Sequence, residues 1–239
     1  MKENLLSISE ASALLGVSVD TLRRWDESGK LVAIRKGGGT HRYYTKRNLD
    51  TYSSDLLGVA NEWAFAGSDL PAEYYCQNSA VFQARLSKME GAILDAEKND
   101  DFVPLIVAVA GEIGNNSFDH NLGNWPDAAG VFFGYDVNKK EVVLADRGVG
   151  ILKTLHRVRS DLDNSQAALI VAFTEVVTGR APEKRGNGLK FVLSTVTNYP
   201  INLFFQGGDA ELRIQDEDTE FRVTKSQITI RGCLARITY

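Results

Sequence analysis

Three short stretches of this 239-residue chain hold residues whose types and spacing suit phosphate chemistry. In "EIGNNSFDHN" (112–121), Glu112 and Asn116 are four apart, so both project from one face of a helix. A carboxylate there can position a water for attack, and an amide one turn on suits Mg2+, which keeps several waters and takes few protein ligands. "DRGVG" (146–150) closes an apolar strand; Asp146 can accept a hydrogen bond from an adenine amino group, and the neighbouring glycines let the backbone approach a base. "RGNGLKF" (185–191) opens a helix with glycines and offers the N–H groups of Gly186 to Leu189 to phosphates. Taken singly, each has a plain alternative: a solvated helix end, a strand-to-loop turn, a helix cap. "DRGVG" lacks the G-x-G-x-x-G spacing of a Rossmann fingerprint. In this order, the three together supply what a nucleotide needs.

The elements that hold these stretches can be read from the pattern around them. The apolar run "VPLIVAVA" continues into one helix with Glu112. Before it, "AEYYCQNSAVFQARLSKMEGAILDAEK" (72–98) reads as a long amphipathic helix with Tyr75, Phe82, Leu86 and Met89 near one face. "AGVFFGYDVNKKEVVLADRGVG" gives two β runs around a turn at Asn138 to Lys140. Residues 151–185 read as helical and polar. A further helix follows "RGNGL", and the chain ends in three or four strands, "INLFFQG", "AELRIQ", "EFRVT" and "QITIRGCLARITY". Helices thus precede a terminal meander, which defines an α+β body.

The first fifty-odd residues follow a different plan. "SISEASALLG" predicts a short helix with Ser9 as N-cap and Gly16 as its stop. "VSVDTLRRWDESGK" predicts a second, capped by Ser18, with Leu22 and Trp25 inward and Gly29 ending it. The few residues between them are the spacing of a helix-turn-helix. "VAIRKGGGTHRYY" puts a glycine-rich turn between two β-like runs, making a wing, and "TKRNLDTYSSDLL" begins a third helix. Residues 53–72, with Gly67, Ser68 and Pro71 as breakers, read as a transition.

Charge divides along the same line. Residues 1–52 carry nine Lys/Arg against six Asp/Glu, and the remainder carries 18 against 25, for a net charge of −4. A basic head on an acidic body points to a local anion-binding face rather than general coating of nucleic acid. No apolar run approaches the ~20 residues that span a bilayer. The start lacks a basic segment followed by an apolar stretch, so a cytoplasmic protein with no membrane partner is expected. Cys76 and Cys233 fit no zinc or redox spacing and read as buried hydrophobes.

The order and spacing of "EIGNNSFDH", "DRGVG" and "RGNGL" resemble the N, G1 and G2 boxes of the Bergerat-fold ATPases, the superfamily of gyrase, Hsp90, MutL and the histidine kinases. The resemblance covers about residues 73–239 and implies a Bergerat-type α/β sandwich, its helices packed on one mixed or antiparallel sheet. It implies Glu112 as general base, Asn116 as Mg2+ ligand, Asp146 as adenine anchor, and Gly148, Gly150, Gly186, Asn187, Gly188 and Leu189 around ATP. Asp119 falls where gyrase and MutL carry Asp, which favours hydrolysis over kinase activity. Residues 151–185 would be a lid, on which Lys153, Arg157, Lys184 and Arg185 either meet phosphates or form a solvated basic surface. No histidine-phosphorylation motif precedes the N box, and "RGC" stands where a Gly-Thr pair often supports adenine, with Cys233 in place of a hydroxyl.

"SISEASALLGVSVDTLRRWDESGKLVAIRKGGGTHRYYTKRNLD" in turn resembles the winged helix-turn-helix of MerR-type regulators and phage excisionases. That implies double-stranded DNA as partner. Ser18, Thr21, Arg23 and Arg24 would lie on the outer face of the second helix, and Arg35, Lys36, His41, Arg42 and Tyr44 on the wing. The whole therefore reads as a winged helix-turn-helix (1–55), a connecting segment (56–72) and an ATP-binding domain (73–239). The expected function is a DNA-binding transcriptional regulator set by Mg-ATP binding or slow hydrolysis. The competing readings are an anti-sigma-like serine/threonine kinase acting on a partner protein and a small helical adaptor in place of the DNA reader. Dimerisation is expected on the resemblance alone.

Overall fold

The computed structural model describes residues 5–36, 39–53, 55–67, 69–96, 100–176, 188–215 and 221–239. The N-terminal unit runs β1 (Leu5–Ser7), α1 (Ile8–Leu15), α2 (Val19–Glu27), β2 (Ile34–Arg35), β3 (Arg42–Thr45) and α3 (Lys46–Ser53). Ser7, not Ser9, caps α1, in a reciprocal pair with Glu10 that satisfies two orphan donors. Ser18 caps α2 as expected, and its hydroxyl accepts the Thr21 N–H. A small antiparallel sheet in the order β1-β3-β2 forms the wing and ties it to the chain start.

The next helix is α4 (Leu56–Ala66), which occupies most of the stretch read as a transition. Then come β4 (Tyr75–Cys76), α5 (Ser79–Ala96), α6 (Val103–Asn121), β5 (Val131–Asp136), β6 (Glu141–Asp146), α7 (Ile151–Leu155), α8 (Ser165–Thr174), α9 (Gly188–Asn198), β7 (Asn202–Gly207), β8 (Ala210–Ile214), β9 (Val223–Lys225) and β10 (Cys233–Thr238). The expected long helix over 72–98 is therefore a two-residue strand followed by α5. Within the expected helical stretch 151–185, the described part holds α7 and α8. Residues 177–187 lie outside the described residues.

Seven strands form one sheet, β4-β5-β6-β10-β7-β8-β9, and every pairing in it is antiparallel. The sheet is apolar on both faces because its strands alternate between two cores. Val142, Leu144, Ala235, Leu203 and Phe205 point into a core shared with α5, α6, α8 and α9. Phe132, Val143, Ala145 and Leu234 point the other way, into a core shared with α4 and the N-terminal unit. α4 lies between the two units: Leu56, Val59, Ala60, Trp63 and Ala64 are all buried there. Each fully buried side chain of the Leu, Val or Trp kind contributes on the order of 1.5–3 kcal/mol, so this helix holds the units together. Among the described residues, no helix is long and apolar enough to cross a membrane.

Glycine sets the approach of α5 to α6. Gly111 and Gly114, three apart, face α5, and a Cβ on Gly114 would run into the ring of fully buried Phe82. That ring packs edge-on to Phe133 at 5.2 Å and cannot swing away. Gly114→Ala should therefore destabilise the protein by about 1–3 kcal/mol despite alanine's better helix propensity, measured as the shift in a urea unfolding curve.

Candidate functional site

α6 carries two polar stripes. The first holds Glu112 and Asn116, and both face the start of α9. A Cβ on Gly188 would stand 2.5 Å from Glu112 Oε2 and 3.3 Å from Asn116 Nδ2. A side chain at 188 would displace the carboxylate end of Glu112 from the start of α9. The fold therefore brings residues of the first and third stretches together. Leu189 is half-buried against the main core, and Asp119 is exposed on α6. Lys184, Arg185, Gly186 and Asn187 lie outside the described residues.

The second stripe, Ser117 and Asn121, receives the loop after β6. Ser117 Oγ donates to Asp146 Oδ2 at 2.8 Å, and the Gly148 N–H donates to Asp146 Oδ1 at 2.8 Å. Asn121 donates to the Ser117 carbonyl at 2.7 Å and accepts the Val149 N–H at 2.8 Å, its amide lying directly against Gly148. Asp146 is buried, and burial pushes its carboxyl up, against the Gly148, Ser117 and Cys233 donors that favour the charged form. The sequence reading of Asp146 as an acceptor for an adenine amino group does not include these protein donors. Cys233 adjoins it; burial, then the Asp146 charge, push its thiol well up, so it acts as a neutral neighbour. Ser117 and Asn121 escaped the sequence reading, although their spacing of four puts them on one face, one position on from Glu112 and Asn116.

Gly150 caps α7 in a left-handed conformation (φ +79). Beside it opens a cavity of about 620 Å3 whose lining includes Gly148, Gly150, Lys153, Arg157, Gly208 and Gly232. Glu112, Asn116 and Asp146 do not line it, so the loop has one end at Asp146 and the other in the cavity wall. Burial and the charge of Arg157 lower the His120 pKa and keep that imidazole neutral at pH 7. Among the described residues, no cluster of three His, Cys, Asp or Glu side chains is arranged to hold a metal.

On the N-terminal unit, the outer face of α2 presents Arg23 and Arg24, both exposed, with Arg23 paired to Asp20 at 2.6 Å. Arg35, Lys36 and His41 are exposed on the wing. Three expected contacts are corrected, while Ser18 stays exposed at the head of α2. Tyr44 is fully buried and donates to the Leu22 carbonyl at 3.2 Å, so it belongs to the core. Thr21 is 4% exposed and donates to Asp69 at 2.9 Å. Arg42 is turned inward: with Arg35 it converges on Asp26 Oδ2, each at 2.6 Å.

Asp26 also accepts the Ala33 N–H at 2.8 Å. Burial opposes its charge, but the Ala33 N–H and the Arg42 and Arg35 guanidiniums hold the carboxyl below the usual range. Asp26 thus fixes the wing to α2.

Residues 7–44 match the MerR family regulatory protein model, and this stretch is a MerR-type helix-turn-helix. Two relatives share short segments with the chain. The Type II methyltransferase M.Eco47II of Escherichia coli is 38% identical over 63 residues, 26% of this chain and 15% of that protein. The transcriptional repressor DcmR of Methylorubrum extorquens is 42% identical over 53 residues, 22% of this chain and 20% of that protein. The matched segment thus spans a fifth or less of either relative.

Asp26→Asn should turn an amide N–H toward donors and weaken the wing, lowering stability by about 1.5–3 kcal/mol in a denaturant titration.

Proposed function

We propose that the chain is a DNA-binding transcriptional regulator whose larger unit is a Bergerat-type domain that binds Mg-ATP and hydrolyses it slowly. The convergence of Glu112, Asn116 and Gly188 carries the ATP reading: a carboxylate, an amide and a glycine-led helix N-terminus meet from two distant helices. The N–H groups at the start of α9 suit phosphate oxygens. Asn116 would hold Mg2+, which neutralises phosphate charge when bound. Glu112 positions and deprotonates the attacking water. Asp146, at the far end of the second stripe, is the acceptor for the adenine amino group, and Gly148 and Gly150 admit the base. The packing of α5, α6, α8 and α9 on one face of an antiparallel sheet supports the same reading.

For the DNA half, the support is the match over residues 7–44 and the two exposed arginines on the outer face of α2. In a helix-turn-helix, that face enters the major groove. The relatives' names, a methyltransferase and a transcriptional repressor, are compatible with a portable DNA reader.

Turnover of ATP by the purified chain tests the first half. Glu112→Ala should retain nucleotide binding and lower hydrolysis at least 100-fold, in line with loss of a general base. A wild-type chain that binds no adenine nucleotide would overturn the reading. For the second half, Arg23→Ala/Arg24→Ala should weaken duplex binding about 10-fold or more at low salt, read by gel retardation; unchanged retention sinks it.

A further inference from the structure

The loop that carries Asp146 has a second, outward-facing member. Consecutive strand residues point to opposite faces of a sheet, so Asp146 turns toward α6 while Arg147 turns toward α4. Arg147 is 7% exposed. Its Nη1 donates to the carbonyls of Trp63 and Ala64, at 2.7 and 2.8 Å, and its Nε to Asp127 at 3.1 Å. The two carbonyls belong to the last turn of α4, the negative end of the helix dipole, where a cation is favoured. Gly67, which ends α4 at φ +68, packs on the same guanidinium; a Cβ there would stand 3.0 Å from Arg147 Cζ.

Asp69 and Pro71 lie against the DNA-reading element. Asp69 accepts the Thr21 hydroxyl at 2.9 Å, and hydrogen bonds from Ser18 and Thr21 hold its carboxyl below the usual range, with the charge of Arg24 adding. Buried Pro71 lies against the α1–α2 turn, its Cα 3.6 Å from where a Cβ on Gly16 would be. Asp69 therefore places a carboxylate on the N-terminus of α2, beside Arg24. The N-terminal residues of the second helix of a helix-turn-helix meet DNA, and helix N-termini commonly take backbone phosphates. A carboxylate and a phosphate compete for the same donors.

We propose that residues 69–72 form a strap that restrains DNA binding, with Gly67 at the end of α4 held by Arg147. Its Asp69 occupies the N-terminus of α2 in place of a DNA phosphate, and Arg147 of the loop after β6 anchors the end of α4 that precedes it. The identity of the ligand that acts on this loop rests on the ATP reading above. A nucleotide against Asp146 and Gly148 shifts the neighbouring Arg147 and so changes the hold on the strap. The effect is bounded by its differential affinity for the two positions.

The test uses the full chain and a fluorescent mixed-sequence DNA duplex, with anisotropy read across 50–200 mM salt. Asp69→Asn should tighten binding about 3- to 10-fold and steepen the salt dependence by about one phosphate contact, a change that lost packing would not produce. Arg147→Lys cannot span two carbonyls and Asp127 with one ammonium, and should tighten binding in the same direction. The double variant should gain no more than Asp69→Asn alone, because both act on one strap. Equal or weaker binding by Asp69→Asn overturns the proposal, as does an Arg147→Lys effect that is nil or additive at unchanged melting temperature. In a further arm, Mg2+ with a non-hydrolysable ATP analogue should change wild-type duplex affinity at least 3-fold and leave Arg147→Lys unmoved. If the analogue fails to bind wild type, the ATP reading falls and the salt-series arms still decide the strap. If it binds without moving duplex affinity, the coupling is overturned and the ATP reading stands.

Discussion

A helix that is apolar around most of its circumference has to be covered on more than one side, and α4 imposes that requirement on this chain. Its buried residues touch the outer face of the seven-stranded sheet on one flank and the core around Trp25 and Tyr44 on the other. The sheet needs a cover on that face, because its alternation leaves Phe132, Val143 and Leu234 pointing away from α6. One helix meets both needs. Polar contacts then fix its rotation: Trp25 Nε1 donates to Glu62 at 2.6 Å, and Lys30 pairs with the same carboxylate over the rings of Trp25 and Tyr52.

The opposite face of the sheet is organised by α6. Its apolar face fills the main core, and its two polar stripes do different work. One meets α9 at Gly188, where a carboxylate and an amide lie against the start of that helix. The other fastens the loop after β6, so that Asp146 meets Ser117 Oγ and the Gly148 N–H. Burial of a carboxylate is costly without such donors, and here the helix supplies one and the loop itself another. The chemistry-bearing residues of α6 are thus held on a helix whose apolar side lies in the main core.

What the sequence revealed and what it hid follow from the range of the interactions involved. Glu112 and Asn116 were legible because a spacing of four fixes a helix face, and the glycines of the third stretch stood out because they open a helix. The two helices of the N-terminal unit were legible from Leu22, Trp25 and the Ser18 cap. α4 was hidden because Gly58, Gly67 and Pro71 break its pattern and it has no polar stripe to give it a period. β4 was hidden because two residues in front of a helix look like its first turn. Thr21 and Tyr44 were misplaced for another reason: periodicity says which residues share a face but not what covers that face. The cover on Thr21, Asp69, lies 48 residues away in the chain. Arg147 was passed over because the residues on either side of it carried the motif.

The burial of α4 on both flanks also bears on how such a chain can have been assembled. The helix-turn-helix is not joined to the rest as a bead on a thread; its core is completed by residues that simultaneously roof the sheet. Recombination that moved residues 5–53 into a new host would have to bring α4 (Leu56–Ala66) with them, or land where an apolar helix already waited. The natural unit of exchange is therefore longer than the domain it delivers.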